Sequence, residues 1–375
     1  MTKRLAGQPP LDVVFVVQGE GRGHLTQAIA LSAHLRDAGH RVVAVYVGES
    51  SVRPVPEYFV DEVGAPVEGF EAPILVPDRH LRGMSVGRTA WHSLVHLPAF
   101  ARSFAWLSHR IRAHRPDVVV NFYDLLAGFA HTFSPKGTRR VAVAHNYLVG
   151  HPDAAAAPSG RAGRLGLSLL SWGTGWGAKH RLALSYDELP PHRAVVPVPP
   201  LLRPGLERLS VTDQGYLLAY ALNPGYALDL ATWQGRNPEV AVHCYIEGGR
   251  AAVGAPCHPK FQAHDLGSEA FLKHLAGCRA FVGTAGFEST CEAFFLGKPV
   301  LSVPVEGQYE QGFNAVDARR AGAARAGSYA DLDEFWGDLP WPDPTSVERF
   351  RGWVGRAPGV FLRAIEGRMG TTVLH

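Results

Sequence analysis

Short apolar runs alternate with amphipathic stretches along this chain in a repeating order. Leu11 to Val17 (LDVVFVV) is apolar nearly throughout, which predicts a buried strand. A polar glycine loop follows, Gln18 to His24, and Leu25 to Ala38 then has the spacing of an amphipathic helix ended by Gly39. Arg41 to Gly48 (RVVAVYVG) predicts the next strand. This β-loop-α-β opening signals a doubly wound parallel sheet. Residues 50–90 hold several prolines and glycines and read as loops over a cleft. Arg88 to Arg115 predicts a long helix kinked at Pro98, with Leu97, Phe100, Phe104, Leu107 and Ile111 at three-four spacing toward the sheet. Asp117 to Phe122 and Arg140 to Ala144 predict strands. Their ends present Asn121, Tyr123 and Asp124, and His145-Asn146-Tyr147.

Ala154 to Gly177 is rich in Ala, Gly, Leu and Trp with basic flanks. An amphipathic membrane-contacting helix is one reading; its glycines favour a core-packing or loop role. Val195 to Pro204 (VVPVPPLLRP) is proline-dense and reads as an interdomain linker. Beyond it the pattern restarts. Gly215 to Leu222 predicts a strand, Asn223-Pro-Gly225 a turn, Tyr226 to Trp233 a helix and Val240 to Glu247 a strand. Glu269 to Ala276 predicts a helix before the apolar pair Phe281-Val282. Val347 to Gly367 reads as a terminal helix.

The densest chemistry lies in Gly283 to Ala315. Gly283-Thr-Ala-Gly286 turns the chain, Ser289 to Leu296 predicts a short helix, and Gly297-Lys-Pro299 stops it. Val300 to Val305 is a buried-strand run, followed by a polar loop with Glu306, Gln308, Glu310, Gln311 and Asn314. A glycine turn between strand and helix is an anion site, because free N–H groups and the helix dipole converge there. Glu292, one turn into the helix, is placed to accept hydrogen bonds from vicinal hydroxyls; the alternative is an ordinary αβ unit with a solvated Glu. The N-terminal loop also permits two readings. Gly19 and Gly21 open a dinucleotide fingerprint with Glu49 as the ribose acid, but its third glycine position holds His24.

At 375 residues, with 46% hydrophobic and 19% charged residues, the chain has room for two α/β domains with ample cores. Cys244, Cys257, Cys278 and Cys291 form no CxxC pair, which argues against a disulfide framework or zinc ribbon and suits a reducing cytoplasm. The apolar run Val13–Val17 is too short for a signal sequence, and no stretch has the apolar length of a spanning helix. The net charge is +3, and its distribution is more telling. Arg79 to Pro116 holds seven arginines and no acidic residue, and Ala154 to Tyr186 is also acid-free. Such a basic face suits an anionic or lipid-linked acceptor, or contact with the inner face of a membrane. Arg-rich composition alone is the alternative. No nucleic-acid partner is expected. His92 and His96, four apart, lack a third ligand for zinc. Asp331 and Asp333 are the sole DxD spacing and sit at a helix start, and Gly-x-Ser-x-Gly is absent. No metal or other cofactor is expected.

The Gly283–Ala315 segment, with its Glu292-Ala-x-x-x-Gly297-x-Pro299 core, resembles the donor-sugar motif of GT-B glycosyltransferases, in particular the group related to MurG. Gly21-Arg-Gly23-His24 matches the Gly-x-Gly-His pattern of that group's first loop. The resemblance implies two Rossmann-like doubly wound parallel-sheet domains facing a central cleft. Residues 1–197 would bind the acceptor and 198–345 the nucleotide-sugar, with 346–375 packing back on the first domain. It implies that the glycine turn holds the diphosphate and Glu292 the ribose, with Gly283, Thr284, Gly286, Phe287, Glu288, Ser289 and Thr290 as donor-binding residues. Gln308, Gln311 and Asn314 would meet the sugar, with Gly21, Arg22, Gly23 and Asn223 closing on the donor from the other loops. His24 is then the candidate general base, since an attacking hydroxyl must lose its proton and imidazole titrates near neutrality. Ligands in open α/β sheets bind beyond the strands' carboxyl ends, so Asn121, Asp124 and Asn146 are acceptor-side candidates, or else plain turn-formers. The implied reaction is metal-independent, inverting transfer from a UDP- or dTDP-sugar, the nucleotide-sugar being a co-substrate. A nucleotide-sugar hydrolase or epimerase, a NAD(P)-dependent oxidoreductase using Gly19, Gly21 and Glu49, and a non-catalytic sensor are the rivals.

Overall fold

The computed structural model describes residues 9–49, 54–74, 76, 86–154, 160–253 and 258–369. Cys257, Arg79, Arg82 and parts of the 50–90 and 154–177 stretches lie outside the described residues. The first half runs β1 (Asp12–Gln18), α1 (Arg22–Asp37), β2 (Arg41–Glu49), α2 (Glu57–Val63), β3 (Val67–Glu71), α3 (Val86–Val95), α4 (Leu97–His114), β4 (Val118–Phe122), α5 (Leu125–Ala130), β5 (Arg139–Val143), α6 (Arg161–Thr174), β6 (His180–Leu184) and β7 (Val195–Val198). Its strands form one parallel sheet in the order β3-β2-β1-β4-β5-β6-β7. β1 shows why its sequence is continuously apolar. Val13, Phe15 and Val17 face one core, Val14 and Val16 face another, and all five are wholly buried. Burial on this scale contributes about 1.5–3 kcal/mol for each large side chain.

The second half runs β8 (Leu217–Tyr220), α7 (Pro224–Arg236), β9 (Val242–Tyr245), α8 (Gly249–Val253), β10 (Phe261–His264), α9 (Ser268–Gly277), β11 (Ala280–Thr284), α10 (Phe287–Phe295), β12 (Val300–Val303), α11 (Tyr309–Arg320), β13 (Arg325–Ala326), α12 (Leu332–Asp338), α13 (Pro344–Val354) and α14 (Ala357–Ile365). Its sheet, also parallel, has the order β10-β9-β8-β11-β12-β13. The last two helices return to the first half. Trp353 Nε1 donates to the Ser185 carbonyl at 2.9 Å, and Arg139 Nε donates to the Ile365 carbonyl at 2.9 Å. No helix among the described residues is long and apolar enough to cross a membrane.

Several local expectations are corrected. The 50–90 stretch is not all loop: α2 and β3 lie in it, with Pro56 just before the helix and Gly64 just after it in a left-handed conformation (φ 69°). Those residues punctuate elements there. α1 begins at Arg22, so His24 lies in its first turn and not in the loop. Val195–Val198, read as linker, is the edge strand β7, where Pro197 needs no further partner for a ring nitrogen. The terminal helix is two helices meeting at Gly355. The 161–174 segment is helical despite its glycines. A Cβ at Gly163 would lie 2.6 Å from the Tyr309 ring, and one at Gly173 would lie 2.8 Å from Leu125. Both glycines are sites of close approach, where tertiary packing outweighs helix propensity.

Candidate active site

In both sheets the strand order reverses beside the first strand of each half, between β1 and β4 and between β8 and β11. Such switch points open a crevice at the strands' carboxyl ends. Here the two crevices face each other, and a single cleft is lined from both halves: Gly21 to His24 after β1, Asn146 after β5, Leu222 after β8, and Thr284 to Ser289 after β11.

On the second half, β11 leads through Gly286, the N-cap residue, into α10. The first-turn N–H groups of a helix have no partner within it and carry its positive dipole end. Thr284, Gly286, Phe287, Glu288, Ser289 and Glu292 line the cleft. Gly283 and Thr290 do not: Gly283 leaves room for the Phe281 ring, which a Cβ would meet at 2.8 Å, and Thr290 Oγ1 donates to the Gly286 carbonyl at 2.9 Å. Gln308, Gln311 and Asn314 also line the cleft, and two of them brace it. Gln311 Oε1 accepts from Val305 N at 2.8 Å, and Asn314 Nδ2 donates to the Ala285 carbonyl at 2.9 Å, holding the glycine turn. Asn223 is the N-cap residue of α7, makes no side-chain capping bond there, and does not line the cleft.

Glu292 is wholly buried. Both carboxylate oxygens are held by a guanidinium fork: Arg203 Nε to Oε1 at 2.7 Å and Nη2 to Oε2 at 2.5 Å. Arg203 comes from the segment between the two sheets, and its guanidinium lies over the Phe271 ring, 5.0 Å from the centroid. The fork uses one lone pair on each oxygen and leaves the others for hydroxyl donors. Sequence reading missed Arg203. Its partner is 89 residues away, and it stands in a proline-rich run with no periodicity.

Across the cleft, His24 stacks on Tyr123 with ring centroids 5.6 Å apart. Its Nδ1 faces Gln27 Oε1 at 3.4 Å, while Gln27 Nε2 donates to Glu288 Oε1 at 2.7 Å. The amide is thus oriented by the opposite half, and its carbonyl favours the tautomer with Nδ1–H and a bare Nε2. Burial lowers the His24 pKa from 6.5 to about 4, so the ring is neutral at pH 7. Burial also pushes Glu288 well above the usual carboxylate range. Arg22, expected beside the diphosphate, lines the cleft and pairs with Glu247 Oε1 at 2.7 Å across it.

Of the acceptor-side candidates, only Asn146 lines the cleft. Asn121 and Asp124 build the turn after β4: Asn121 Nδ2 donates to the Asp124 and Thr174 carbonyls at 2.8 Å each, and Asp124 Oδ1 accepts from Ala127 N at 2.7 Å. That turn carries Tyr123 at φ 63°, a left-handed conformation costly for a non-glycine residue, and so fixes the ring under His24. Glu310, which the sequence placed only in a polar loop, also lines the cleft, and burial raises its pKa. Glu49 turns away, accepting from Val55 N at 3.1 Å, so the acid needed by a dinucleotide fingerprint is absent from the cleft lining.

The sequence profile of glycosyl transferase family 1 matches residues 11–340. No curated protein matches the chain by sequence. Solved structures do match over nearly the whole length. The glycotransferase of kitacinnamycin is 18% identical at a TM-score of 0.59, over 96% of this chain and 98% of that one. MurG of Acinetobacter baumannii is 16% identical at 0.53, over 96% and 100%. The spinosyn rhamnosyltransferase SpnG, solved with thymidine diphosphate, is 14% identical at 0.59, over 95% and 100%.

The buried fork generates a stability prediction. Arg203→Ala leaves the Glu292 carboxylate buried and unpaired, and loss of one partner of such a pair costs about 3–5 kcal/mol. Thermal unfolding of the ligand-free protein should show a large drop in Tm, with Arg203→Lys intermediate because a point charge replaces the fork. An Arg203→Ala protein with unchanged Tm would mean the pair does not form in solution.

Proposed function

The chain belongs to glycosyl transferase family 1 and is a glycosyltransferase of the GT-B fold, and from that premise we propose that it moves a sugar from a UDP- or dTDP-sugar to an acceptor hydroxyl. The observation that carries this reading is the facing of two unlike elements across one cleft. An amide-rich helix start with Glu292 stands on one side, and a neutral His24 oriented through Gln27 stands on the other. The diphosphate would lie against the first turn of α10, with the ribose hydroxyls donating to Glu292. Gln308 would meet the sugar. The acceptor would enter between His24 and Asn146, which both line the cleft.

In this reading the acceptor oxygen attacks the anomeric carbon while His24 Nε2 takes its proton. The bond to the diphosphate breaks on the opposite face, which inverts the configuration. Charge on the leaving group is met by the α10 N–H groups and Arg22, with no metal required of the reaction.

A membrane-surface acceptor is a second part of the proposal, and it rests on α6. Leu165, Leu169, Trp172 and Trp176 recur at four-three-four spacing and are exposed. Phe129 lies 6.2 Å from Trp176, and Arg161, Arg164 and Lys179 flank the stripe, all exposed. An apolar stripe with basic edges and no acid suits an anionic bilayer or a lipid-linked acceptor. The enzyme would then work in the cytoplasm at the inner membrane face.

Thermal shift with UDP, dTDP, GDP, their sugars and NAD(P) tests the donor. Stabilisation by one pyrimidine diphosphate, lost in Glu292→Ala, is expected; stabilisation by NAD alone, indifferent to Glu292, would sink the reading. Release of free sugar without any acceptor would instead identify a hydrolase.

His24→Ala should lower kcat by about 10²–10⁴-fold while donor affinity persists. Because the His24 pKa is lowered, the ring is already in its base form through neutrality. The acid limb of kcat/KM should therefore fall near pH 4 and not near 6.5. Full turnover by His24→Ala would remove the base assignment.

The membrane part is tested by flotation with anionic vesicles at low salt. Binding is expected, and Leu169→Glu with Trp172→Glu should abolish it. No flotation of the unaltered protein would remove this part alone.

A further inference from the structure

A second group of chemistry-bearing side chains lies outside the machinery described above. β9 and β10 pair in parallel at the edge of the second sheet, with Gln262 opposite His243 and His264 opposite Tyr245. Opposed residues share a face of a sheet, so His243, Tyr245 and His264 all project to the same side. α9 covers that side. Its Phe271 packs on Tyr245 at 5.2 Å between centroids, and three residues on, His274 comes down over the two strand histidines.

The three rings form a tight set. Centroids are 5.1 Å apart for His243 and His264, 4.3 Å for His243 and His274, and 5.0 Å for His264 and His274. One nitrogen from each ring lies within 4.8 Å of the other two. His243 Nδ1 and His264 Nε2 are 2.9 Å apart, in rings inclined by only 11°. Beside this set stand one contact of the kind that orients a metal-binding imidazole and a second that holds the backbone carrying it. The Tyr245 hydroxyl bonds His274 Nδ1 at 2.8 Å, and the Tyr216 hydroxyl donates to the His274 carbonyl at 2.8 Å. All three residues are half-buried, so an ion can reach them, and burial lowers the pKa of each ring.

We propose that His243, His264 and His274 form a binding site for a divalent transition metal ion, zinc by preference. Three imidazoles suit Zn²⁺ over the oxygen-seeking Mg²⁺ and Ca²⁺. Zinc takes Zn–N bonds of about 2.0–2.1 Å in a tetrahedral arrangement, which leaves a fourth position for water or another ligand. The edge between two nitrogens in that geometry is about 3.3 Å. The 2.9 Å between His243 and His264 is a hydrogen bond that an ion would replace with a small opening of the pair. The ion would tie β9, the edge strand β10 and α9 together. Leu266, Gly267 and Phe271, on the same stretch of chain, line the cleft beside Arg203. Metal binding at the sheet edge would therefore stiffen one wall of the cleft without touching the reacting atoms.

The test uses the full chain stripped with a chelator and then titrated with Zn²⁺, and with Co²⁺ as the spectroscopic probe. One equivalent should bind, Co²⁺ should give the visible absorption of a four-coordinate nitrogen site, and Zn²⁺ at about 100 times its Kd should raise the folded-to-unfolded ratio about 100-fold. His264→Ala should lose the site. Tyr245→Phe keeps every ligand, removes the bond that orients His274, and should weaken binding about 10–100-fold. His92→Ala, altering a separate histidine pair, should bind as the unaltered protein does. Absence of stoichiometric binding would overturn the proposal. So would binding that survives in His264→Ala, whether it is lost in His92→Ala or in neither variant; the cluster would then be a hydrogen-bonded ring stack and no more.

Discussion

A carboxylate with no exposed surface cannot stand alone in a protein interior, and Glu292 imposes that constraint on the structure around it. Desolvating an ion costs several kcal/mol even after relaxation, and only a close, well-aligned counter-ion offsets it. Arg203 meets the requirement with both arms of its fork. Because Arg203 belongs to the segment joining the two sheets, satisfying Glu292 fixes the course of that segment beside α10. The guanidinium in turn rests on Phe271 of α9. The link, α10 and the helix over β9 and β10 are thus held by one charged contact. A ribose that bonds Glu292 would meet a carboxylate already fixed in orientation, so little ordering would remain to be done on binding.

Other contacts across the cleft divide into two kinds. Arg22–Glu247 joins the halves at its mouth, with the Glu247 side chain 45% exposed, and such a pair contributes only about 0.2–1 kcal/mol. Deeper in, Gln27 donates to buried Glu288, and His145 stacks on Phe287 at 4.0 Å between centroids. Those contacts exclude water and depend on the two halves keeping their present approach at the base of the cleft. The result is a cleft whose halves are held most firmly where α10 meets α1.

Much of this fold was legible because parallel strands buried on both faces are continuous apolar runs, as β1, β2, β11 and β12 are. The glycine turn into α10 was legible for the same local reason: its chemistry and its geometry occupy consecutive residues. The strands that escaped notice are short or polar at one end, such as β6 (HRLAL) and β10 (FQAH). The missing parts of the site are those assembled from a distance. Arg203 has no local pattern, Gln27 reads as one more polar residue on an amphipathic helix, and the three clustered histidines come from two strands and a helix. The candidates Asn121 and Asp124 were correctly placed at a strand's carboxyl end, yet that rule does not distinguish a side chain aimed at a ligand from one that shapes the turn. Here the turn uses both, and the residue it presents is Tyr123.

α6 connects these observations to the molecular surface. Its inner side holds two buried aromatic rings: Ser171 Oγ bonds the Tyr123 hydroxyl at 2.8 Å and Thr174 Oγ1 bonds the Tyr147 hydroxyl at 3.2 Å. Its outer side carries the exposed Leu165, Leu169 and Trp172. Gly163 lets the same helix touch Tyr309 at the start of α11, in the other half. A displacement of this helix would therefore act on the ring stacked against His24 and on the first turn of α11, where Gln308 and Glu310 stand. The glycines that obscured the helix in the sequence are what allow it to sit against both halves, Gly173 on Leu125 and Gly163 on Tyr309.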